Sequence, residues 1–553
     1  MDEKTHFIKI INIINMKRYF TFFQLVLLLT SFQLNAQYVN VKINSAYIYG
    51  EEWIAMNPKN LNQIVTGTHL SIGNTQSNMG YFYSSNGGFN WSGGTLLSTL
   101  AQPGTDPIIL ADTSGNFYYI CIANWGVPPP NGDKMLCIKS TNGGVNWNNG
   151  TAFALLYPKF DDMPMGCIDF SHSQYGNNIY VTWTLLDSLY SSDPTDSSYV
   201  YLCRSTDQGI SFSSPVRVSK IAGRAYWDNS TPEGPVPCTG TNGEVYVCYP
   251  YNEQVLFNRS TDGGNTWLSN EVVASNQPGG WTWHHSPVIA CDLSNSQYSG
   301  TIYICFSDLR NGSNDRDIWL IKSTNSGNNW SNPIRVNNDS PGHMQELPWI
   351  CVDRVTGYVW IVFYDCRNYS NNSIYDTYVA RSTNGGTSFQ NAKVSNAVSS
   401  TISQFWLGDY IGITAHNNKV RPIWTTSTGW GISNLWTAII DTFTIGVQTI
   451  SNEIPKRFVL NQNYPNPFNP STKIKFDIPS EDKNQKAKVK LVIYDILGKE
   501  VQTLVNEQLQ PGSYEVTFDA RQPGLGGNLP SGIYFYQLRT EKFKETKRMI
   551  LLK

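Results

Sequence analysis

Short runs of β-branched and aromatic residues, separated by Gly, Asn, Asp and Ser, make up most of this 553-residue chain. Such runs are typical of β-strands bounded by turns, and Lys134 to Lys139 and Ile318 to Lys322 are examples. Between residues 38 and 450 no stretch has the apolar spacing of an amphipathic helix. The pattern therefore predicts an all-β protein.

One short phrase recurs six times at intervals of 55 to 65 residues. It begins Ser-Ser or Ser-Thr, continues with Asn or Asp and a pair ending in Gly, and closes on Trp or Phe. Asn and Asp bond their own backbone, and glycine supplies positive φ, so each copy predicts a structural turn. The Asn or Asp residues are Asn86, Asn142, Asp207, Asp262, Asn325 and Asn384.

Two further patterns recur upstream of five of the six phrases. A Pro followed five residues later by Asp or a small residue opens one strand, as at Pro164 and Asp169, and Gly-x-apolar-aromatic opens the next, as at Gly243–Tyr246. Each unit thus predicts a four-stranded antiparallel blade, and blades in series predict a β-propeller. A segment at 403–440 has the strands without the phrase, which favours seven blades, with six as the alternative.

The composition changes near residue 450. From Pro455 onward 16 Lys plus Arg face 10 Asp plus Glu, whereas the whole chain has a net charge of −2. Alternating apolar residues at Lys488–Tyr494 and Tyr514–Phe518 predict a small β-sandwich over 455–553, after a propeller over 38–450. The mildly acidic main body has no basic stripe, which argues against nucleic acid as a partner.

Residues 1–36 are predicted to be an export signal. Lys17 and Arg18 precede a mostly apolar stretch from Tyr19 to Leu34, and Ala36 offers a small residue for cleavage. Met16 is the expected true start. The stretch is too short and too polar for a membrane anchor, so we expect no transmembrane segment in the mature chain and a secreted or surface location.

The chain has ten cysteines, which all lie between Cys121 and Cys366. Their recurrence in register along inner strands favours free core thiols, although an even count in an exported chain permits disulfides. There is no Cys-x-x-Cys metal spacing, so any metal ligand is unknown. The pairs that could bridge adjacent strands are Cys238–Cys248, Cys291–Cys305 and Cys351–Cys366.

The turn phrases resemble the Asp-box, or BNR repeat, of sialidase-like β-propellers over about residues 45–445. In that family the box is a structural turn on the outer rim, so the resemblance implies fold more than chemistry. Sialidases bind the substrate carboxylate with three arginines, the first in an Arg-Ile-Pro stretch. Here no arginine lies between Arg18 and Arg204 and Arg-Ile-Pro is missing, so the catalytic residues are unknown and enzyme activity is uncertain.

The tail carries a second resemblance. It contains Asn463–Pro470, Val492–Asp495, Ser531–Tyr536 and the basic ending Lys547–Met549. Residues 455–553 together resemble the type A sorting domain of the type IX secretion system, an immunoglobulin-like β-sandwich. The resemblance implies the type IX machinery as a partner, export across an outer membrane, and surface attachment or removal of the tail.

Acidic residues or a histidine precede the strand-opening Pro in most units, and Asp409 holds the matching place in the seventh. A propeller brings these strand starts together around its channel, where carboxylates repel one another unless they bind a cation, share protons or meet hydrogen-bond donors. The position predicts a site for carbohydrate or another surface polymer, with a channel-bound cation as an option; otherwise the side chains cap strand starts in a wet channel. The candidates are Asp106, Asp162, Glu233, His285, Glu346 and Asp409.

Three functions stay open on the sequence alone. Binding without chemistry is favoured and predicts an aromatic-lined cleft, for which Trp281, Trp283, Trp406 and Trp430 are loop candidates. An exo-sialidase-like glycoside hydrolase would need two carboxyls at the channel mouth, one with a raised pKa. A purely structural role predicts a channel plugged by apolar side chains.

Overall fold

The computed structural model describes residues 38–552 with gaps, and no helix occurs among the described residues. It leaves out 45–49, 72–76, 125–132, 157–158, 190, 227, 280–285, 371, 397–398, 401–407, 428–432, 442–447, 452–453, 481–486, 510 and 521–528. The proposed export signal at 1–36 therefore lies outside the described residues. Within the described part of the chain, no helix has the length and hydropathy needed to cross a membrane.

Seven antiparallel sheets of four or five strands lie between residues 39 and 439 in the described part of the chain. The first strand, β1, spans Val39–Asn44. Sheet 1 contains β2 (Trp53–Met56), β3 (Ile64–Ser71), β4 (Ser77–Ser84) and β5 (Ser92–Thr95), and sheet 2 contains β6 (Pro103–Ala111), β7 (Phe117–Ala123), β8 (Lys134–Ser140) and β9 (Thr151–Phe153). Sheet 3 contains β10 (Phe160–Ile168), β11 (Ile179–Leu186), β12 (Ser197–Ser205), β13 (Val216–Arg217) and β14 (Gly223–Arg224).

The next sheets repeat the same order. Sheet 4 contains β15 (Val236–Thr239), β16 (Val245–Tyr251), β17 (Gln254–Ser260) and β18 (Val272–Asn276). Sheet 5 contains β19 (Val288–Cys291), β20 (Ile302–Asp308), β21 (Asp317–Ser323) and β22 (Ile334–Arg335). Sheet 6 contains β23 (Gln345–Val352), β24 (Val359–Asp365), β25 (Ile374–Ser382), β26 (Gln390–Lys393) and β27 (Ser399–Ser400), and sheet 7 contains β28 (Gly412–His416), β29 (Lys419–Ser427) and β30 (Ser433–Ile439) with β1.

The sheets close into a ring. The first strand of each sheet contacts the first strand of the next, in the cycle β2, β6, β10, β15, β19, β23, β28 and back to β2. The ring is completed by β1, which pairs with β30 from Val39 opposite Ile439 to Asn44 opposite Leu435. Both ends of the segment thus build sheet 7. The arrangement is a β-propeller, as the repeats predict, but the sequence analysis did not assign β1.

The six turn phrases form the same hydrogen bonds. In each copy the first Ser Oγ accepts the backbone N–H of the second Gly position at 2.8–3.0 Å. The Asn or Asp Oδ1 accepts the N–H four residues later at 2.9–3.0 Å. Asn and Asp accept the same backbone hydrogen bond, so the turn also forms in the four copies that carry Asn.

Basic residues tie five of the six turns to the neighbouring sheet. Arg204, directly before the phrase in sheet 3, donates to Gly263 O in the turn of sheet 4 at 2.6 Å. Arg421 of sheet 7 donates to Gly87 O in the turn of sheet 1 at 2.8 Å, which joins the last sheet to the first. The other contacts of this kind are Lys139 to Gln208, Arg259 to Ser326 and Lys322 to Gly385.

The Asp residues five places after the strand-opening Pro cap the turn at the far end of the innermost strands. Asp169 Oδ1 accepts the N–H of Ser171 at 2.7 Å, and Asp292 Oδ1 accepts that of Ser294 at 2.8 Å. Asp112 and Asp353 make equivalent bonds. These carboxylates therefore have a structural role.

All ten cysteines are free thiols. The three bridges left open by the sequence are not formed. In sheet 4, for example, β15 and β16 place Cys238 opposite Tyr246 and Cys248 opposite Val236. Burial raises the pKa of Cys238 well above its ordinary value, with a contribution from Cys291. Thiols of this kind behave as small apolar side chains.

The carboxyl-terminal segment forms two four-stranded sheets. One contains β31 (Gln448–Ser451), β32 (Val459–Leu460), β33 (Ser471–Ile478) and β36 (Gly512–Asp519). The other contains β34 (Ala487–Tyr494), β35 (Glu500–Leu509), β37 (Gly532–Arg539) and β38 (Lys544–Leu551). Side chains of both sheets, among them Phe476, Phe518, Leu491 and Tyr536, share one hydrophobic core, which is the organisation of a β-sandwich.

Candidate functional site

The innermost strands begin with bulges that carry acidic residues. The pairing register shifts between Thr105 and Ile108, between Asp162 and Met165, and between Glu346 and Trp349. Left-handed backbone accompanies the irregularity, with φ of 53° at Asp106 and 46° at Met163. A non-glycine residue in this region is strained, and a bulge re-aims the side chains beside it. The strand starts are thus shaped locally to present these acids.

Four of the predicted acids form one cluster with Glu51. Burial, the charge of Asp106 and the charge of Glu233 together raise the pKa of Asp162 well above its ordinary value. Burial and the charge of Asp409 raise the pKa of Asp106 to about 7. The cluster draws on sheets 1, 2, 3, 4 and 7, so residues up to 358 positions apart in the chain act on one another.

The remaining members of the cluster behave in the same way. Burial, followed by the charges of Asp409 and Asp106, raises the pKa of Glu233 to about 8. Burial and the charge of Asp106 raise the pKa of Glu51 well above its usual range, and Glu51 Oε2 accepts the N–H of Asp106 at 3.3 Å. Asp162, Glu233 and Asp409 are half-buried, whereas Glu51 and Asp106 are buried. The cluster therefore shares protons near neutral pH.

Glu346 lies at the same end of the ring but makes different contacts. Its Oε2 accepts the phenolic O–H of Tyr375 at 3.2 Å, and its Oε1 lies 3.8 Å from Nε of Arg316. Arg316 is 3% exposed, and Nη2 donates to Gly279 O at 2.8 Å. The charge of Glu346 is therefore compensated by Arg316, which the sequence did not link to it.

The other arginines at this end are committed to carboxylates of the protein. Arg310 pairs with Asp308, and Arg367 pairs with Asp365 through Nη2 at 2.6 Å. Asn311 and Asn368, each directly after one of these arginines, donate to Asp317 and Asp376. These pairs hold the loops together. No arginine clamp of the sialidase kind is visible among the described residues.

An aromatic floor lies directly behind the acids. Trp53, Trp349 and Tyr410 follow the acidic positions of sheets 1, 6 and 7, with ring centroids 4.7 Å apart for the two tryptophans and 5.9 Å from each to Tyr410. Tyr410 donates its O–H to Pro107 O at 3.1 Å, across sheet 1. Trp349 and Tyr410 are buried, so the floor is a packed support for the acids.

The described residues contain no group of three or more His, Cys, Asp or Glu side chains that could hold a metal ion. A channel-bound cation therefore has no ligand set in this part of the chain. His285 lies outside the described residues, as do Trp281, Trp283, Trp406 and Trp430. The aromatic cleft expected from these tryptophans is thus a prediction only.

Sequence reasoning missed Tyr375, Arg316, Glu52 and Asp161 at this end of the ring. Burial raises the pKa of Glu52 to about 8, and burial with the charge of Asp133 raises that of Asp161 well above its usual range. Glu52 and Asp161 each lie next to an acid of the cluster in the sequence, and such pairs of adjacent acids could have pointed to them. Tyr375 and Arg316 had no signal, because their partner comes from a distant strand.

The tail matches a known family. Residues 462–552 match the model of the secretion system C-terminal sorting domain. This segment is a type IX sorting domain. It directs the protein to the type IX secretion system, and hence to attachment at the outer surface or release.

Solved structures similar to this chain are β-propellers that act on carbohydrates. A Hadza microbial sialidase is 13% identical, with 68% of this chain and 73% of that chain covered and a TM-score of 0.40. An ulvan lyase is 12% identical, with 71% and 95% covered and a TM-score of 0.43. An α-L-arabinanase of Penicillium chrysogenum is 12% identical, with 60% and 94% covered and a TM-score of 0.39. No curated protein sequence matches the chain. At these values the similarity assigns no activity.

Proposed function

We propose that the exported protein binds a neutral, hydroxyl-rich carbohydrate at the acidic end of the propeller channel. The convergence of Asp106, Asp162, Glu233 and Asp409 on one another carries this proposal. A sugar hydroxyl both donates and accepts hydrogen bonds. A carboxylate only accepts, whereas a protonated carboxyl also donates, so a cluster that shares protons offers a sugar both kinds of partner.

The charge of this end decides the class of carbohydrate. Asp162, Glu233 and Asp409 are the half-buried acids of the cluster, and the negative charge that the cluster keeps while it shares protons opposes a polyanion. Arg310 and Arg367 are paired with carboxylates of the protein, so they do not compensate a sugar acid. A neutral glycan meets neither obstacle.

Glycoside hydrolysis is the second candidate, and the pKa of Asp106 at about 7 favours it. A carboxyl that holds its proton near neutral pH suits a general acid, provided that a second, ionised carboxyl lies across the scissile bond. The cluster contains several carboxyls that could serve as the partner.

A panel of neutral, amino and acidic oligosaccharides tests both candidates, with binding and release of reducing sugar measured on the same samples. We expect neutral glycans to bind without sugar release, and Asp162→Asn with Glu233→Gln to weaken binding at least tenfold. Asp262→Asn is the matched control, because it removes one carboxylate charge on the outer rim. Sugar release that Asp106→Asn abolishes would establish the second candidate. Binding confined to acidic glycans, or unchanged in the double variant, would contradict the proposal.

A further inference from the structure

A cavity lies in the channel, on the side of the aromatic floor away from the acids. It has a volume of about 250 Å³ and is lined by the innermost strands of all seven sheets. That volume corresponds to about eight water molecules at liquid density. Most of the lining side chains are apolar, among them Ile109, Val236, Ala290 and Cys351, while Thr239, Thr414 and Arg354 add polar atoms to the wall. Ala290 and Cys351 keep partial exposure in mid-strand, because they face this cavity.

One charged group stands at the end of the cavity away from the acids. Arg354 follows β23 and lines the cavity together with Phe170, which follows β10 on the opposite side of the ring. The guanidinium carbon of Arg354 lies 3.4 Å from the centroid of the Phe170 ring. A contact with the face of an aromatic ring uses none of the guanidinium N–H donors.

The donors of Arg354 find no hydrogen-bond acceptor among the described residues. The nearest carboxylate in sequence, Asp353, acts on Arg354 through its charge, but it accepts the N–H groups of Val355, Asn417 and Asn418 at 2.7–3.0 Å. Burial lowers the pKa of Arg354 to about 10, so the group stays cationic at neutral pH. Burial of His416, followed by the charge of Arg354, lowers the pKa of His416, so this histidine does not compete as a cation.

We propose that this cavity binds a small amphipathic carboxylic acid, with its aliphatic chain in the channel and its carboxylate on Arg354. A planar carboxylate matches the free fork of a guanidinium. The aliphatic chain gains by removing its apolar surface from water against the apolar side chains of the wall, such as Ile109 and Val236. The acids beyond the aromatic floor make the opposite orientation unfavourable, because they would face the carboxylate with like charge.

Octanoate is a suitable probe, measured by isothermal titration calorimetry on the full exported chain. We expect one octanoate per protein, at least tenfold weaker binding of octanol, and no measurable binding of phosphate. Arg354→Met keeps the apolar stem of the side chain and should reduce octanoate affinity at least tenfold. Arg217→Met is the matched control. Its guanidinium carbon lies 3.7 Å from the centroid of the Tyr199 ring, and Arg217 does not line the cavity.

A second variant separates loss of the site from loss of the fold. Ala290→Leu fills part of the cavity and should abolish octanoate binding, while thermal unfolding shows that the ring persists. The proposal is overturned if octanol binds as tightly as octanoate, if Arg354→Met binds octanoate like the wild type, or if phosphate competes while Ala290→Leu has no effect. None of these outcomes bears on glycan binding at the acidic end.

Discussion

Asp106 combines burial, backbone strain and like charge in one residue. Its pKa of about 7 in the folded protein lies above the value near 3.9 of an unfolded chain. The folded state holds this proton more tightly, so the stabilisation is complete below the unfolded value and is lost as the pH rises through 7. Between the two values each pH unit costs about 1.4 kcal/mol.

Asp106→Asn removes this titration. We expect the free energy of unfolding of the wild type to fall between about pH 5 and pH 8. That of the variant should fall less, because it lacks the Asp106 proton, but it should still fall, because Glu233 and Glu52 titrate in both proteins. The variant should be the more stable protein at pH 8. Urea unfolding over this pH range measures the difference, and parallel curves for the two proteins would contradict the account.

The turn phrase depends on its first Ser more than on its acid. Ser260 Oγ accepts the buried N–H of Gly264 at 2.9 Å and donates to Asp262 Oδ1 at 2.7 Å. Ser260→Ala leaves that N–H without a partner and should cost about 1–3 kcal/mol. Asp262→Asn should cost less than about 0.5 kcal/mol, because Asn makes the same bonds in four other copies. Denaturant unfolding measures the free energy of unfolding of both variants. Equal losses of this free energy in the two variants would disprove the ranking.

Residue chemistry was predictable where local sequence determines it. The side-chain bonds of the phrase follow from Ser, Asn and Gly at fixed spacing, and the acid ahead of Pro164 or Pro235 was visible in the sequence. The pairing of Glu346 with Arg316 was not predictable, since these residues belong to different sheets and have no common motif. The left-handed backbone at Asp106 was equally hidden, because Asp before Pro normally favours extended backbone.

At the scale of elements, contacts between neighbouring sheets rely on basic residues next to the phrase. Arg204→Met removes the donor to Gly263 O while retaining most of the apolar stem. We expect a loss of about 1–2 kcal/mol, because the carbonyl loses a charge-assisted hydrogen bond.

The control for this variant is Arg457→Met, which changes an exposed arginine outside the ring of sheets. It should leave the midpoint of thermal unfolding unchanged, whereas Arg204→Met lowers it. If both variants unfold like the wild type, the contact does not stabilise the ring.

The strands themselves were largely predictable, and the closure of the ring was not. In each unit, apolar runs bounded by glycine turns predict the strands. The strand β1 has no phrase near it, and its partner β30 is about 395 residues away in the chain. Pairing over such a distance leaves no local signal, which is why the sequence assigned the last sheet only three strands.

For the whole molecule, the ring creates two ends with different chemistry. Acids gather where the innermost strands begin, and a cavity lined in part by Arg354 and Phe170 lies further along the same strands. The floor of Trp53, Trp349 and Tyr410 separates them. The sequence predicted the meeting of the acids from the repeat alone, but it gave no hint of the cavity, whose wall residues are ordinary strand residues.

The most direct measurement of this convergence is the carboxyl titration of Asp106, followed by NMR on carbon-13-labelled aspartate in the wild type and in Asp409→Asn. These residues are 303 positions apart, and the charge of Asp409 is a named cause of the raised pKa of Asp106. We expect a pKa of about 7 for Asp106 in the wild type and a lower value in Asp409→Asn. A pKa near 4 in both proteins would contradict it.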